Sequence, residues 1–144
     1  MDKIKFSIII PTYNRPMILK SCLEALFKQI SNYDIFEVII VDDGSKDKLI
    51  DKYPELFKNF NIKYFFITHK GPAAARNFGL QHASGDVIIF LDDDSIVLDN
   101  WANSVIKNWE NFQDIDGIGG YVFSNFKDPL CAQTNAEIFN WYFE

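Results

Sequence analysis

Four runs in the 144-residue chain, Phe6–Ile10, Phe36–Val41, Ile62–Thr68 and Val87–Leu91, are continuously apolar or nearly so and rich in Ile, Val and Phe. A strand wetted on one face alternates apolar with polar residues, so uninterrupted runs predict strands buried on both faces. Between them lie stretches of helical spacing: Leu19, Leu23, Leu26 and Ile30, then a polar segment over Lys48–Asn59, then Pro72–His82. The resulting β-α-β-α-β-α-β order predicts an α/β fold, a mostly parallel sheet with helices on both faces joined by right-handed crossovers. Trp101, Val105, Trp109 and Phe112 predict a further helix over Asn100–Asn111, capped by Asp99 or Asn100. Gly117–Phe126 reads as a fifth strand.

A chain of this length removes about two-thirds of its unfolded surface from water, enough for one core without disulfides. Apolar residues make up 48% and charged residues 24%, which excludes disordered and collagen-like classes. The net charge of −6, with no block of Lys or Arg, argues against nucleic acid as a partner. No apolar run approaches the ~18 residues of a membrane span, and Met1–Lys5 lacks the apolar segment of a signal peptide. Cys22 and Cys131 have no metal-type spacing. A cytoplasmic location is therefore expected.

In open parallel sheets ligands bind beyond the carboxyl ends of the strands. The segments there are Pro11-Thr12-Tyr13-Asn14-Arg15, Asp42-Asp43-Gly44-Ser45, His69-Lys70-Gly71-Pro72 and Asp92-Asp93-Asp94-Ser95, which aim five carboxylates at one edge. Three adjacent carboxylates repel one another, and a hard divalent cation, Mn²⁺ or Mg²⁺, completed by water and phosphate oxygens, relieves that repulsion. The plainer alternative is a solvated turn that caps the next helix, but it leaves the second acidic pair unexplained. Asp42-Asp43-Gly44-Ser45 is equally compatible with a tight turn and with a carboxylate that accepts hydrogen bonds from a base or ribose. Gly71–Asn77 opens a helix with Pro72 and small residues, and Arg76, one turn in, is within reach of a phosphate there. His69 and His82 read as surface or packing residues.

Neither G-x-x-x-x-G-K-[ST] nor G-x-G-x-x-G occurs in the first βα turn, and G-x-S-x-G is absent, which argues against phosphate-loop ATPases, dinucleotide dehydrogenases and α/β-hydrolases. Phe6–Arg15, Val38–Ser45, Ala74-Ala75-Arg76-Asn77, Gly85-Asp86 and Phe90–Asp94 instead closely resemble, in order and spacing, the family-2 glycosyltransferases of GT-A fold. That resemblance implies a Rossmann-like sheet and a single GT-A domain, whole or truncated, over 1–144. About 1–100 would be the nucleotide-sugar-binding half and about 101–144 the start of the acceptor half. It also implies inverting, metal-dependent transfer from a nucleotide-diphosphate sugar, usually a UDP-sugar, to a hydroxyl of a saccharide or lipid-linked acceptor, as in cell-envelope polysaccharide biosynthesis.

Matched position by position, Pro11, Thr12, Tyr13, Asn14 and Arg15 fall in the family's nucleotide-contacting turn, and Asp43 matches the carboxylate that reads the base. Arg76 joins the donor-binding set. Asp92 and Asp94 match the outer positions of the family's D-x-D motif. Asp94 resembles the metal ligand, with Asp92 beside it, while Asp92 and Asp93 would face the ribose or donor sugar. The later acidic motif that supplies a general base has no match. Asp128, Glu137 and Glu144 are the candidates within the chain, and a base beyond residue 144 is expected instead. Two alternatives remain: a non-catalytic nucleotide-sugar-binding fragment, and a phospho-accepting receiver domain, whose acidic pair Asp42-Asp43 resembles. The latter leaves Pro11–Arg15 without a role.

Ala136, Ile138, Phe139, Trp141, Tyr142 and Phe143 put apolar bulk on nearly every side of the last segment. Packing against the chain's own sheet is expected first. Self-association, or peripheral contact with the inner face of a membrane, is the alternative.

Overall fold

A computed structural model of the chain describes residues 5–58, 61–111, 117, 119 and 120. The elements are β1 (Phe6–Thr12), α1 (Pro16–Ile30), β2 (Phe36–Asp42), α2 (Leu49–Lys52), a 3₁₀ turn over Pro54–Phe57, β3 (Ile62–Phe66), α3 (Pro72–His82), β4 (Val87–Phe90) and α4 (Trp101–Asn111). The chain divides into two units, Met1–Val105 and Ile106–Glu144, and the sheet lies in the first.

All four strands are parallel, in the order β3-β2-β1-β4. The inner strands β1 and β2 are buried at every residue, as their unbroken apolar runs predict. β3 and β4, expected from the same pattern to be buried on both faces, are only partly covered, because each lies at an edge of the four-stranded sheet. From β1 to β3 the chain steps in one direction, and from β3 to β4 it steps back across the sheet. Right-handed crossovers then put α1 and α2 on one face and α3 on the other. Beneath α3, Ile9, Ile39, Val41 and Ala75 form a core cluster bordered by Phe65, Phe78 and Ile88. Residues of the opposite parity, Ile8, Ile10, Val38 and Ile40, are equally buried and match the stripe Leu19, Leu23 and Leu26 of α1. Each such side chain contributes about 1.5–3 kcal/mol on burial.

Two further expectations change. The helix over Lys48–Asn59 is broken: Pro54 has no N–H to donate and disfavours helical geometry at Tyr53, which sits at φ −137°, ψ 61°. α4 begins at Trp101, after Asn100 in the left-handed region at φ 65°. Asn100 C=O accepts the N–H of Ser104 at 2.9 Å, and the Asp99 carboxylate is held by Gln29. Of the strand expected over Gly117–Phe126, only Gly117, Gly119 and Gly120 are described, outside any regular element. The aromatic segment 136–143 also lies outside the described residues. No described helix is long and apolar enough to cross a membrane.

A buried polar knot ties the strands at the end away from the acidic loops. Glu37 accepts Ser7 Oγ at 2.5 Å, Ser84 N at 2.6 Å and Ser84 Oγ at 2.9 Å, and pairs with Lys63 Nζ at 2.7 Å. Burial pushes its pKa up, but the Lys63, Ser7 and Ser84 hydrogen bonds outweigh that and hold it at about 2. A Cβ at Gly85 would stand 2.8 Å from Ser7 N and 2.9 Å from Lys5 O, so this close approach requires glycine.

Candidate functional site

The reversal of direction in the sheet opens a crevice between the carboxyl ends of β1 and β4. β4 ends opposite Ile9, where Leu91 N donates to Ile9 O at 3.1 Å. Pro11, two residues on, therefore sits where no β4 residue needs its missing N–H, and the chain from Pro11 to Arg15 borders the crevice. Asn14 turns the loop at φ 53°. Its N–H donates to Ser45 Oγ at 2.7 Å and its Oδ1 accepts Lys46 N at 2.8 Å, which stitches the β1 loop to the β2 loop.

The two acids that end β2 are both buried and both engaged. Asp42 accepts Ser45 N at 2.8 Å, an Asx-type turn, and the hydroxyl of Tyr64. Asp43, the expected base-reading carboxylate, accepts Lys70 N and Gly71 N, each at 2.8 Å, and its Oδ2 lies 2.8 Å from His69 Nδ1. Above it Tyr13 stacks on His69, ring centroids 4.2 Å apart and 22° from parallel. Tyr13 is 42% exposed, so the stacked pair offers a flat aromatic face at the rim.

The three consecutive acids after β4 are not equivalent. The side chains of Asp92 and Asp94 are 60% and 58% exposed, whereas that of Asp93 is 1% exposed. Ser95 N donates to Asp92 O at 3.0 Å and closes the turn. Arg76, on the first turns of α3, meets Asp92 at 2.5 Å, and Arg15 spans Asp93 at 2.6 Å and Asp94 at 3.4 Å. Asp93 Oδ2 accepts Thr12 Oγ1 at 2.7 Å. Burial raises the Asp93 pKa, with the neighbouring Asp94 and Asp92 adding and Thr12 and Arg15 opposing. Under the turn, burial and the three carboxylates push the Cys22 thiol up to about 12.

Thr12, Arg15, Arg76 and Asp92–Asp94 are thus brought to one crevice, while Tyr13, Asn14 and Asp43 form its neighbouring wall across β2. Ser45, the end of the Asp42-Asp43-Gly44-Ser45 segment, completes the wall together with Lys46 and Tyr64, neither of which stood out in the sequence. Asp128, Glu137 and Glu144 lie outside the described residues. Among the described residues no three His, Cys, Asp or Glu side chains cluster as a ready metal cage. The exposed carboxylates of Asp92 and Asp94 are nonetheless hard oxygen donors of the kind Mg²⁺ or Mn²⁺ takes when phosphate and water supply the remaining ligands. The residues present fit an ion that arrives with a diphosphate.

The profile of glycosyl transferase family 2 matches residues 7–141. The chain belongs to this family. An uncharacterized glycosyltransferase of Rickettsia conorii is 40% identical over 141 residues, which are 97% of this chain but 23% of that protein. A chondroitin synthase of Pasteurella multocida is 38% identical over 118 residues, 81% of this chain and 12% of the synthase. The fold of this chain is shared by crystal structures of TarS from S. aureus. TarS 1–349 in complex with UDP-GlcNAc superposes with a TM-score of 0.69 at 26% identity, covering 85% of this chain and 39% of that one. The complex of the same protein with UDP gives 0.70 at 25% identity, covering 85% and 40%. The chain therefore spans well under half the length of these relatives. Family membership removes the receiver-domain alternative and establishes the GT-A type of sheet.

Proposed function

We propose that the β1–β4 crevice and its β2 wall bind a nucleotide-diphosphate sugar, a UDP-sugar first, together with Mn²⁺ or Mg²⁺. The observation that carries this reading is the meeting of two guanidinium groups, Arg15 and Arg76, with two exposed carboxylates, Asp94 and Asp92, at the sheet's reversal point. Guanidinium forks suit diphosphate oxygens, and the carboxylates suit the cation that accompanies them. The Tyr13–His69 face suits stacking of a base. Pro11, Thr12 and Asn14 shape the turn beneath the nucleotide, and Asp43 keeps the β3–α3 loop in place beside the base. Asp94 is the first choice for the metal, with Asp92 between metal and ribose.

In the reaction so assigned, an acceptor hydroxyl oxygen forms a bond to the anomeric carbon as the bond from that carbon to the β-phosphate oxygen breaks. The configuration inverts, and the nucleoside diphosphate departs. Asp94 and Asp92 would hold the divalent ion, which would supply charge to stabilise the departing diphosphate. Arg15 and Arg76 steady the same oxygens, and a carboxylate outside the described residues takes the hydroxyl proton. Residues about 1–100 supply the donor half and about 101–144 begin the acceptor half, for a saccharide or lipid-linked acceptor at the cytoplasmic face of a membrane. Light scattering of the full chain against one ending near Gln133 tests whether the aromatic segment serves as an interface.

Titration of UDP, GDP and ADP in Mn²⁺ tests the donor reading. UDP is expected to bind roughly tenfold tighter, about 1.4 kcal/mol, than ADP. Indistinguishable affinities would reduce the site to phosphate recognition, and no binding would overturn it.

A further inference from the structure

We propose that Asp93, the middle acid of Asp92-Asp93-Asp94, is a positioning residue that acts through Thr12 rather than on the donor. The inference rests on the donor-binding reading and deepens it. Both Asp93 oxygens already face protein. Oδ2 accepts the Thr12 hydroxyl at 2.7 Å. Oδ1 is buried 2.6 Å from Arg15 Nη2, paired by charge but out of line for a hydrogen bond.

Thr12 is suited to this task. It is the last residue of β1, 6% exposed, and its carbonyl accepts Asp43 N at 2.9 Å. Through hydroxyl and carbonyl it links the turn after β4 to the loop after β2, across residues 81 and 31 positions away in the chain. With Asp93 fastened inward, Asp92 and Asp94 on either side remain the exposed pair, Asp92 beside Arg76 and Asp94 beside Arg15, which Asp93 shares. Without that fastening, only the two arginines oppose the repulsion among three adjacent carboxylates on a short turn. Groups that orient metal ligands without touching the ion typically govern affinity by 10–100-fold.

The test is calorimetry of UDP with Mn²⁺ and with chelator, on the full chain and on Asp93→Ala, Thr12→Val, Thr12→Ser and the Asp93→Ala/Thr12→Val double variant. A positioning role predicts that Asp93→Ala lowers the Mn²⁺-dependent gain in UDP affinity about tenfold or more. The gain is the ratio of affinities with the ion and with chelator, in which any change felt through the paired Arg15 in both conditions cancels. Thr12→Val should reduce the same gain, Thr12→Ser should retain it, and the double variant should be no worse than Asp93→Ala alone. Additive losses, or a Mn²⁺-dependent gain unchanged in Asp93→Ala, would mean that Asp93 does not act through Thr12 and would overturn the proposal. If Asp93→Ala fails to fold, the Thr12 pair decides: a gain unchanged in Thr12→Val overturns the role. A wild-type chain whose UDP affinity ignores Mn²⁺ sinks the donor-with-metal reading itself and this inference with it. A metal-dependent wild type with an indifferent Thr12→Val sinks only the inference.

Discussion

Asp43 Oδ2 accepts the backbone N–H of Gly71 at 2.8 Å, so the end of β2 fixes the start of α3 across 28 positions of sequence. Gly71 holds φ 92°, ψ 164°, a conformation essentially confined to glycine, and a Cβ there would meet nothing within 4 Å. Gly71→Ala is therefore expected to destabilise by about 1–3 kcal/mol through backbone strain alone. Urea denaturation measures it, and unchanged stability would show that Asp43 does not enforce this turn.

The Glu37 knot predicts a defined acid sensitivity. Its folded pKa of about 2 lies below the ordinary 4.5, so the stability it contributes is fully present above about pH 5 and is lost as pH falls toward 2. The shift corresponds to at most about 3 kcal/mol. Denaturation midpoints for the wild type should fall over that window more steeply than for Glu37→Gln, which should already be weaker at pH 7. Parallel curves would remove Glu37 from the account.

Tyr13 is half exposed, so its removal should leave the fold intact and weaken nucleotide binding. Base–aromatic stacking is worth about 1–3 kcal/mol. Tyr13→Ala should accordingly cost about tenfold or more in UDP affinity at an unchanged melting temperature, and Tyr13→Phe should cost little. Wild-type affinity in Tyr13→Ala would place the base elsewhere.

Sugar transfer by the 144-residue chain should be close to background. Its matched motifs are assigned to donor and metal contacts, with no base among them, and a missing base costs ~10²–10⁴ in rate. Radiolabelled donor with saccharide or lipid-linked acceptors measures this. Robust turnover would contradict the expectation and direct mutagenesis to Asp128 and Glu137.

The parts of this fold that local patterning determines were legible. Unbroken apolar runs marked β1 and β2 because both faces are covered, and the Gly71-Pro72 start placed α3 at Pro72–His82. The polar stretch after β2 misled because one proline, Pro54, outweighs helical spacing. The acidic cluster was visible, but three identical letters cannot tell which one turns inward. Asp93 is buried where it meets Thr12 and Arg15, and Asp43 is engaged by Lys70 and Gly71, contacts set by the tertiary fold rather than by neighbours in sequence.

Calorimetric titration of UDP into the full chain, once with Mn²⁺ and once with a chelator, tests the central claim most directly. The juxtaposed arginines and carboxylates predict binding at least about tenfold tighter with the ion. Equal affinity in both conditions, or no binding in either, would contradict it.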